Sequence, residues 1–169
     1  MSVKYSIKQV ETKEAAQVAE FMKSIRKELF PMLNHNQLPA DLVHVHTYYL
    51  GRNDSALFAT ISEEGEVLGT IGYLPYDNRF EYLQDYYAQI QTTELVRCYI
   101  DPGYRRLGIG SALYKTALKS ICAAGYEKIY LHTHPFLPGG VPFWKALGFE
   151  EKLAEPDPIW KTLHMDKKL

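Results

Sequence analysis

The sequence predicts an α+β domain in which helices cover one mixed β-sheet. Three observations carry this prediction. Short runs with two-residue apolar alternation recur along the chain, and two longer stretches carry apolar residues at helical spacing. The elements also follow the order β-α-α-β-β-β-α-β-α-β, with room for one further strand, which indicates a mixed sheet covered by helices, α+β or α/β. At 169 residues the chain is expected to form a single domain, 1–169, large enough to bury a core without crosslinks.

"VKYSIKQV" (Val3–Val10) alternates and reads as a strand. Thr12 is a candidate N-cap for a helix with Ala15, Ala19, Met22, Ile25 and Leu29 on one face, and Pro31 stops it. After the polar loop "MLNHNQ", Pro39 suits the first turn of a short helix reaching about Leu50. "ALFATIS" and "EVLGTIGYLP" flank the turn "EEG" and form a hairpin. The aromatic and acidic segment Tyr76–Gln91 reads as a helical or irregular insertion. "ELVRCYI" (Glu94–Ile100) is a strand stopped by "DPG". Gly108–Ala124 forms an amphipathic helix, with Leu113, Ala117, Ile121 and Ala124 on one face and Gly125 closing it. "KIYLHTH" is a strand, "VPFWKALGF" a short helix ending at Gly148, and "IWKTLHMDK" a last strand.

With 23% charged residues and a net charge of -1, the chain lacks the basic footprint of a nucleic-acid or anionic-membrane binder. Cys98 and Cys122 have no metal or disulfide spacing and read as reduced, buried, small apolar residues. The N-terminal residues lack the apolar stretch of a signal peptide, and no run is long enough to span a bilayer. A cytoplasmic protein is expected.

The run "YIDPGYRRLGIGSALYK" (Tyr99–Lys115) is the chemically informative one. Gly103 and Gly108 have the four-residue gap of a Walker loop, but Ile109 follows where Lys is required. The third glycine of a dinucleotide fingerprint is replaced by Leu113. What remains is a strand, a turn, Arg-Arg-Leu-Gly-Ile-Gly and a helix start. A helix N-terminus presents unpaired amides and partial positive charge, which suits a phosphate group. Glycines at 108 and 110 let those amides approach an anion, and Arg105 and Arg106 add charged donors. The residues alone leave open a plain helix start with a solvated arginine pair.

"ELVRCYIDPGYRRLGIGSALYKTAL" resembles the acetyl-CoA-binding segment of the GNAT N-acetyltransferases, with Arg105, Gly108 and Gly110 at the positions of its Arg/Gln-x-x-Gly-x-Gly/Ala motif. "FWKALGFEE" resembles the family's helix followed by Gly-Phe. The resemblance implies a GNAT-like fold and transfer of an acetyl group from acetyl-CoA to a primary amine of a small molecule or peptide, by direct attack in a ternary complex. It implies that the amides of Arg106, Leu107, Gly108, Ile109, Gly110 and Ser111, with Arg105, hold the coenzyme A pyrophosphate. The main chain of Cys98, Tyr99 and Ile100 would pair with the pantetheine arm, and the Cys98 amide would be the oxyanion donor. No metal is implied, and a homodimer is the family's expectation.

An amine must shed its proton before attacking a thioester, so a base is needed. Glu94 lies eleven residues before Arg105, the spacing at which several family members carry a glutamate base. The tyrosine that many members place four residues before the Gly-Phe glycine is Trp144 here, and the asparagine before that helix is absent, with Leu137 near its place. Trp144 is therefore read as a cofactor contact that supplies no proton. Tyr130, His132 and His134 alternate along one strand and are the nearest other candidates. His132-x-His134 lacks a third ligand for zinc, and His44-x-His46 sits on a helix where such residues diverge. Acceptor specificity is assigned to Phe30–Pro39 and Tyr76–Gln91. Two other readings stand: a non-catalytic acyl-CoA-binding module, and an interaction protein whose surface includes Tyr82, Tyr86 and Tyr87.

Overall fold

The computed structural model describes residues 2–169. Seven strands form a mixed sheet in the order β1-β2-β3-β4-β5-β7-β6, flanked by helices. The strands are β1 (Tyr5–Gln9), β2 (Ala56–Ser62), β3 (Val67–Pro75), β4 (Thr92–Ile100), β5 (Lys128–Thr133), β6 (Glu150–Ala154) and β7 (Leu163–Lys168). The helices are α1 (Thr12–Leu29), α2 (Ala40–Val43), α3 (Val45–Tyr49), α4 (Gln84–Tyr87), α5 (Ile109–Ala123) and α6 (Gly140–Ala146). The chain divides into two compact units, one made of the stretch up to Leu74 with Val96–Ala124, the other of Pro75–Leu95 with Gly125–Leu169.

In the first unit β1 and β2 pair antiparallel, as do β2 and β3. The core is built from the inner face of α1 (Ala15, Val18, Ala19, Met22, Ile25), from Leu42, Val45 and Tyr49, and from Leu57, Ala59, Val67 and Tyr99. The apolar spacing read from the sequence of α1 is thus its buried face. The cap of α1 is Glu11 rather than Thr12, because the Glu14 carboxylate turns back to accept the Glu11 N–H at 3.1 Å. The helix expected from Pro39 to Leu50 is two short pieces broken at His44, whose φ of -121° and ψ of 56° leave the helical region. Leu113, Ala117 and Ile121 of α5 are buried as expected, whereas Ala124 follows the helix and is exposed. Cys122 is exposed too, contrary to the expectation of a buried thiol, because it lies one position past the buried Ile121 and so off the inner face.

In the second unit β4 pairs with β5 in parallel over Thr92–Glu94, and β5 and β6 each pair antiparallel with β7. The insertion is a short 3-10 turn (Glu81–Leu83) running into α4. Tyr76, Leu83 and Tyr87 are buried with Tyr130 in an apolar cluster flanked by Phe80, while Tyr82 and Tyr86 face solvent. Tyr87 is therefore unavailable to the tyrosine surface expected of an interaction protein: its hydroxyl donates to Asp166 at 3.0 Å inside the fold.

Gly69 on β3 gives a direct test of the first unit's packing. A Cβ there would stand 2.9 Å from Ile100 Cδ1 and 3.1 Å from the Tyr99 carbonyl, and the carbonyl cannot yield. Gly69→Ala is expected to destabilise the protein by about 1–3 kcal/mol in urea unfolding, as overpacking does; an unchanged midpoint would show that β3 and β4 separate without cost.

Candidate active site

The glycine-arginine loop starts from Asp101, whose carboxylate accepts the Gly103 N–H at 2.8 Å and caps a short 3-10 turn (Pro102–Tyr104). Two left-handed residues follow, Arg106 at φ 64° and Gly108 at φ 82°. Alternation of this kind turns successive amides toward a common side, the geometry of an anion-binding nest. Gly108 then caps α5, whose first helical bond runs from the Ala112 N–H to the Gly108 carbonyl at 3.0 Å. The amides ahead of Ala112 have no helical acceptor. A Cβ on Gly108 would meet no atom within 4 Å, so it is the left-handed φ rather than crowding that calls for glycine there. Arg105 Nη2 is 3.6 Å from Glu28 of α1, and Arg106, Leu107 and Gly108 are the exposed members of the loop. Donor set and charge fit a phosphate group.

The strand leading to this loop contains a kink. Arg97 has φ 53°, a left-handed conformation that costs a non-glycine residue of order 1 kcal/mol. Its guanidinium makes a two-pronged pair with Asp41 of α2, Nε–Oδ2 at 2.8 Å and Nη2–Oδ1 at 2.6 Å, and donates to the Tyr99 hydroxyl at 3.1 Å. The Tyr49 hydroxyl donates to Asp41 at 2.7 Å, and Thr70 Oγ1 donates to the Arg97 carbonyl at 2.8 Å. Burial pushes the Asp41 carboxyl up, but the bonds from Arg97 and Tyr49 outweigh it and hold it below the ordinary range. The peptide joining Arg97 to Cys98, which carries the Cys98 N–H, is therefore fixed by side chains from three elements. Burial also pushes the Cys98 thiol up to about 12, so at neutral pH it is no nucleophile.

Glu94 stands opposite Tyr130 in the parallel pairing and is 5% exposed. Arg79, from the insertion, clasps it with both prongs, Nη1–Oε1 at 2.6 Å and Nη2–Oε2 at 2.8 Å. His132 Nδ1 lies 3.4 Å from Oε2. Burial pushes the Glu94 carboxyl up; Arg79 and then His132 outweigh it and bring it down to about 2. The Arg79 guanidinium also pairs with Asp77 at 2.9 Å and lies 4.6 Å over the Phe80 ring.

The family model described as the GNAT family of acetyltransferases matches residues 19–149. The chain belongs to the GNAT acetyltransferase family. Solved structures share the fold over almost the whole chain. One is a GNAT acetyltransferase from Staphylococcus aureus Mu50, 22% identical, covering 98% of this chain and 99% of that one at a TM-score of 0.76. A second is the PaiA N-acetyltransferase of Thermoplasma acidophilum, determined with coenzyme A, 18% identical over 100% of both chains at a TM-score of 0.69. A third is an aminoglycoside 6'-N-acetyltransferase complexed with coenzyme A, 15% identical over 96% of each chain at a TM-score of 0.70. A search of curated protein sequences finds no match.

For this GNAT acetyltransferase, sequence reasoning selected Glu94 and the 105–111 loop but missed Arg79, Asp41 and Arg97. Arg97 carried a faint signal, since an arginine inside the apolar run "ELVRCYI" requires a carboxylate partner. Arg79 carried none, lying fifteen residues from Glu94 in an irregular segment. Trp144 is buried edge-on between Phe143 and Phe149, at centroid distances of 4.7 and 5.4 Å. His44 and His46 are both exposed. Among the described residues no group of three or more His, Cys, Asp or Glu is arranged to hold a metal ion, and no helix is long and apolar enough to cross a membrane.

Because the folded Glu94 carboxyl is lowered from 4.5 to about 2, its contribution to stability is complete above pH 4.5 and is lost as pH falls toward 2. Acid unfolding of Glu94→Gln, which has no such charge to lose, is expected to show a limb flatter by roughly 3 kcal/mol across that window. Parallel acid limbs for the two proteins would contradict the ion pair.

Proposed function

We propose that this acetyltransferase moves an acetyl group from acetyl-CoA onto a primary amine of a small molecule or peptide, by direct attack in a ternary complex, with 1–169 acting as one catalytic domain. Neither compact unit is a contiguous piece of chain, since the chain passes between them after Leu74, Leu95 and Ala124, which supports the single-domain reading. The observation that carries the function is the left-handed pair Arg106 and Gly108 ahead of the free amides of α5. Arg105–Ser111 bind the pyrophosphate through those amides and the arginine charge, and the main chain of Cys98–Ile100 holds the pantetheine arm.

The Cys98 N–H faces the thioester carbonyl and stabilises the negative charge that develops on its oxygen. A donor fixed in advance by Arg97, Asp41 and Thr70 costs no reorganisation when that charge appears. The proton of the acceptor ammonium leaves toward Glu94, directly or through an intervening group. Arg79 keeps this carboxylate ionised across the working pH range. With the Cys98 thiol pushed up to about 12, the acetyl group passes straight to the amine without an acyl-enzyme at that residue. Trp144 serves as a cofactor contact and leaves the departing sulfur to take its proton from the attacking amine.

The test is a screen of small amines, amino acids and peptides with acetyl-CoA, read by release of free thiol. Thiol release that depends on both protein and amine, with the acetylated amine as product, is expected. Coenzyme A binding without thiol release for every amine would instead favour a non-catalytic binding module.

A further inference from the structure

Resting on the amine-acetylation reading, we infer that His132 is the residue that takes the proton from the acceptor ammonium, with Glu94 and Arg79 as positioning residues behind it. Tyr130 and His132 on one face of β5 are followed by His134, just past the strand's end, and the structure separates the three. Tyr130 is fully buried, its hydroxyl 2.6 Å from His164 Nδ1, and burial pushes it well above the ordinary phenol range. His134 is buried under Phe136, which stacks on it at 5.3 Å, and its Nδ1 is within 3.1 Å of the Trp160 carbonyl. His132 alone of the three has a side chain that is 33% exposed.

Its two ring nitrogens meet different surroundings. Nδ1 is buried and has no hydrogen-bond partner of good geometry, yet it faces the Glu94 carboxylate at 3.4 Å. The exposed part of the side chain therefore lies away from Nδ1. A carboxylate behind one nitrogen selects the tautomer with hydrogen on that nitrogen, leaving Nε2 with its lone pair as the acceptor. Glu94 is poorly suited to take the proton itself: both oxygens are clasped by Arg79, it is buried, and its carboxyl sits at about 2. It suits the role of a fixed anion that orients the His132 ring.

The other groups around the ring leave this role to His132. They are Glu94 on β4, Arg79 and Phe80 from the insertion, Tyr130 on β5, His134 just after β5, and His164 on β7, 6.2 Å away between centroids. His164 is joined to Tyr130 and, through Nε2 at 3.1 Å, to Glu155. Burial lowers both His134 and His164, so both are neutral near pH 7 and place no positive charge beside His132.

Neutral His132 removes one proton from R–NH3+ at Nε2, and the freed lone pair forms the N–C bond to the acetyl carbon. The C–S bond breaks with its electron pair on sulfur, and the thiolate takes the second proton lost from nitrogen. Imidazolium then returns its proton to solvent, so the products are the acetamide, coenzyme A thiol and one proton.

The experiment measures kcat/KM against pH, with the active amine from the screen, for wild type, His132→Gln, His132→Asn and Glu94→Gln. The His132 imidazole is titrated by NMR in the same proteins without substrate. Coenzyme A affinity shows whether each variant is folded. Wild-type kcat/KM is expected to rise through one ionisation that coincides with the NMR titration of His132. Both His132 variants are expected to lose that limb and at least about 100-fold in rate, the lower end for general base catalysis. Glu94→Gln is expected to lower kcat/KM while keeping a limb that still coincides with the NMR titration of His132. Wild-type rates and limb in folded His132 variants would overturn this inference alone. So would a limb that Glu94→Gln abolishes while His132 still titrates, which would make Glu94 the acceptor. No turnover of any amine by the wild type would overturn the amine-acetylation reading and this inference with it.

Discussion

The ion pair between Asp41 and Arg97 is the constraint on which the kinked end of β4 depends. A left-handed arginine within a strand is unfavourable by itself, and it persists because its guanidinium, carbonyl and neighbouring tyrosine all have fixed partners. Removing one partner of a buried pair typically costs about 3–5 kcal/mol because the other charge is left buried and unpaired, so the two residues hold the kink only together. Its position is what matters for chemistry. The next amide in the chain is that of Cys98, and the strand runs from there into the Asp101 cap and the loop that leads to α5. Asp41 also belongs to α2, directly after the 30–39 segment, so the end of that segment is anchored to β4.

A second two-pronged pair, Arg79 with Glu94, has similar distances and a different character. In the first pair both carboxylate oxygens are met by Arg97, Tyr49 adds a donor, and both side chains are largely enclosed. In the second, Glu94 is enclosed while Arg79 is 39% exposed, and a histidine with an accessible side chain stands at the edge of the carboxylate. The first arrangement holds backbone. The second holds a negative charge beside a group able to exchange protons with what lies outside. The aromatic insertion serves this arrangement: Tyr76 and Tyr87 anchor it in the core, and Arg79 projects from the anchored segment.

What could be read from the sequence was what local spacing encodes. The Arg105–Ser111 loop stood out because left-handed turns and helix starts need glycine at particular positions, and the inner faces of α1 and α5 followed from periodicity. Glu94 was visible by its spacing from Arg105, but its environment was not. Arg79 and Asp41 reach their partners across 15 and 56 residues, and nothing local announces such pairs. Cys122 was misplaced because a single residue on a helix of mostly apolar sequence gives little phase information. The interaction-surface reading fails at Tyr87, because an aromatic-rich, acidic segment looks alike whether its rings point in or out. The strand β6, only allowed for as an optional element, has an exposed and charged sequence, "EEKLA", with no alternation to betray it.

Amide hydrogen exchange with and without coenzyme A tests the central claim, that a pre-set strand and helix start bind the cofactor through their main chain. The account predicts new protection at Cys98–Ile100 and at Arg106–Ser111 on saturation with coenzyme A. Saturable binding that leaves those amides exchanging as before would contradict it.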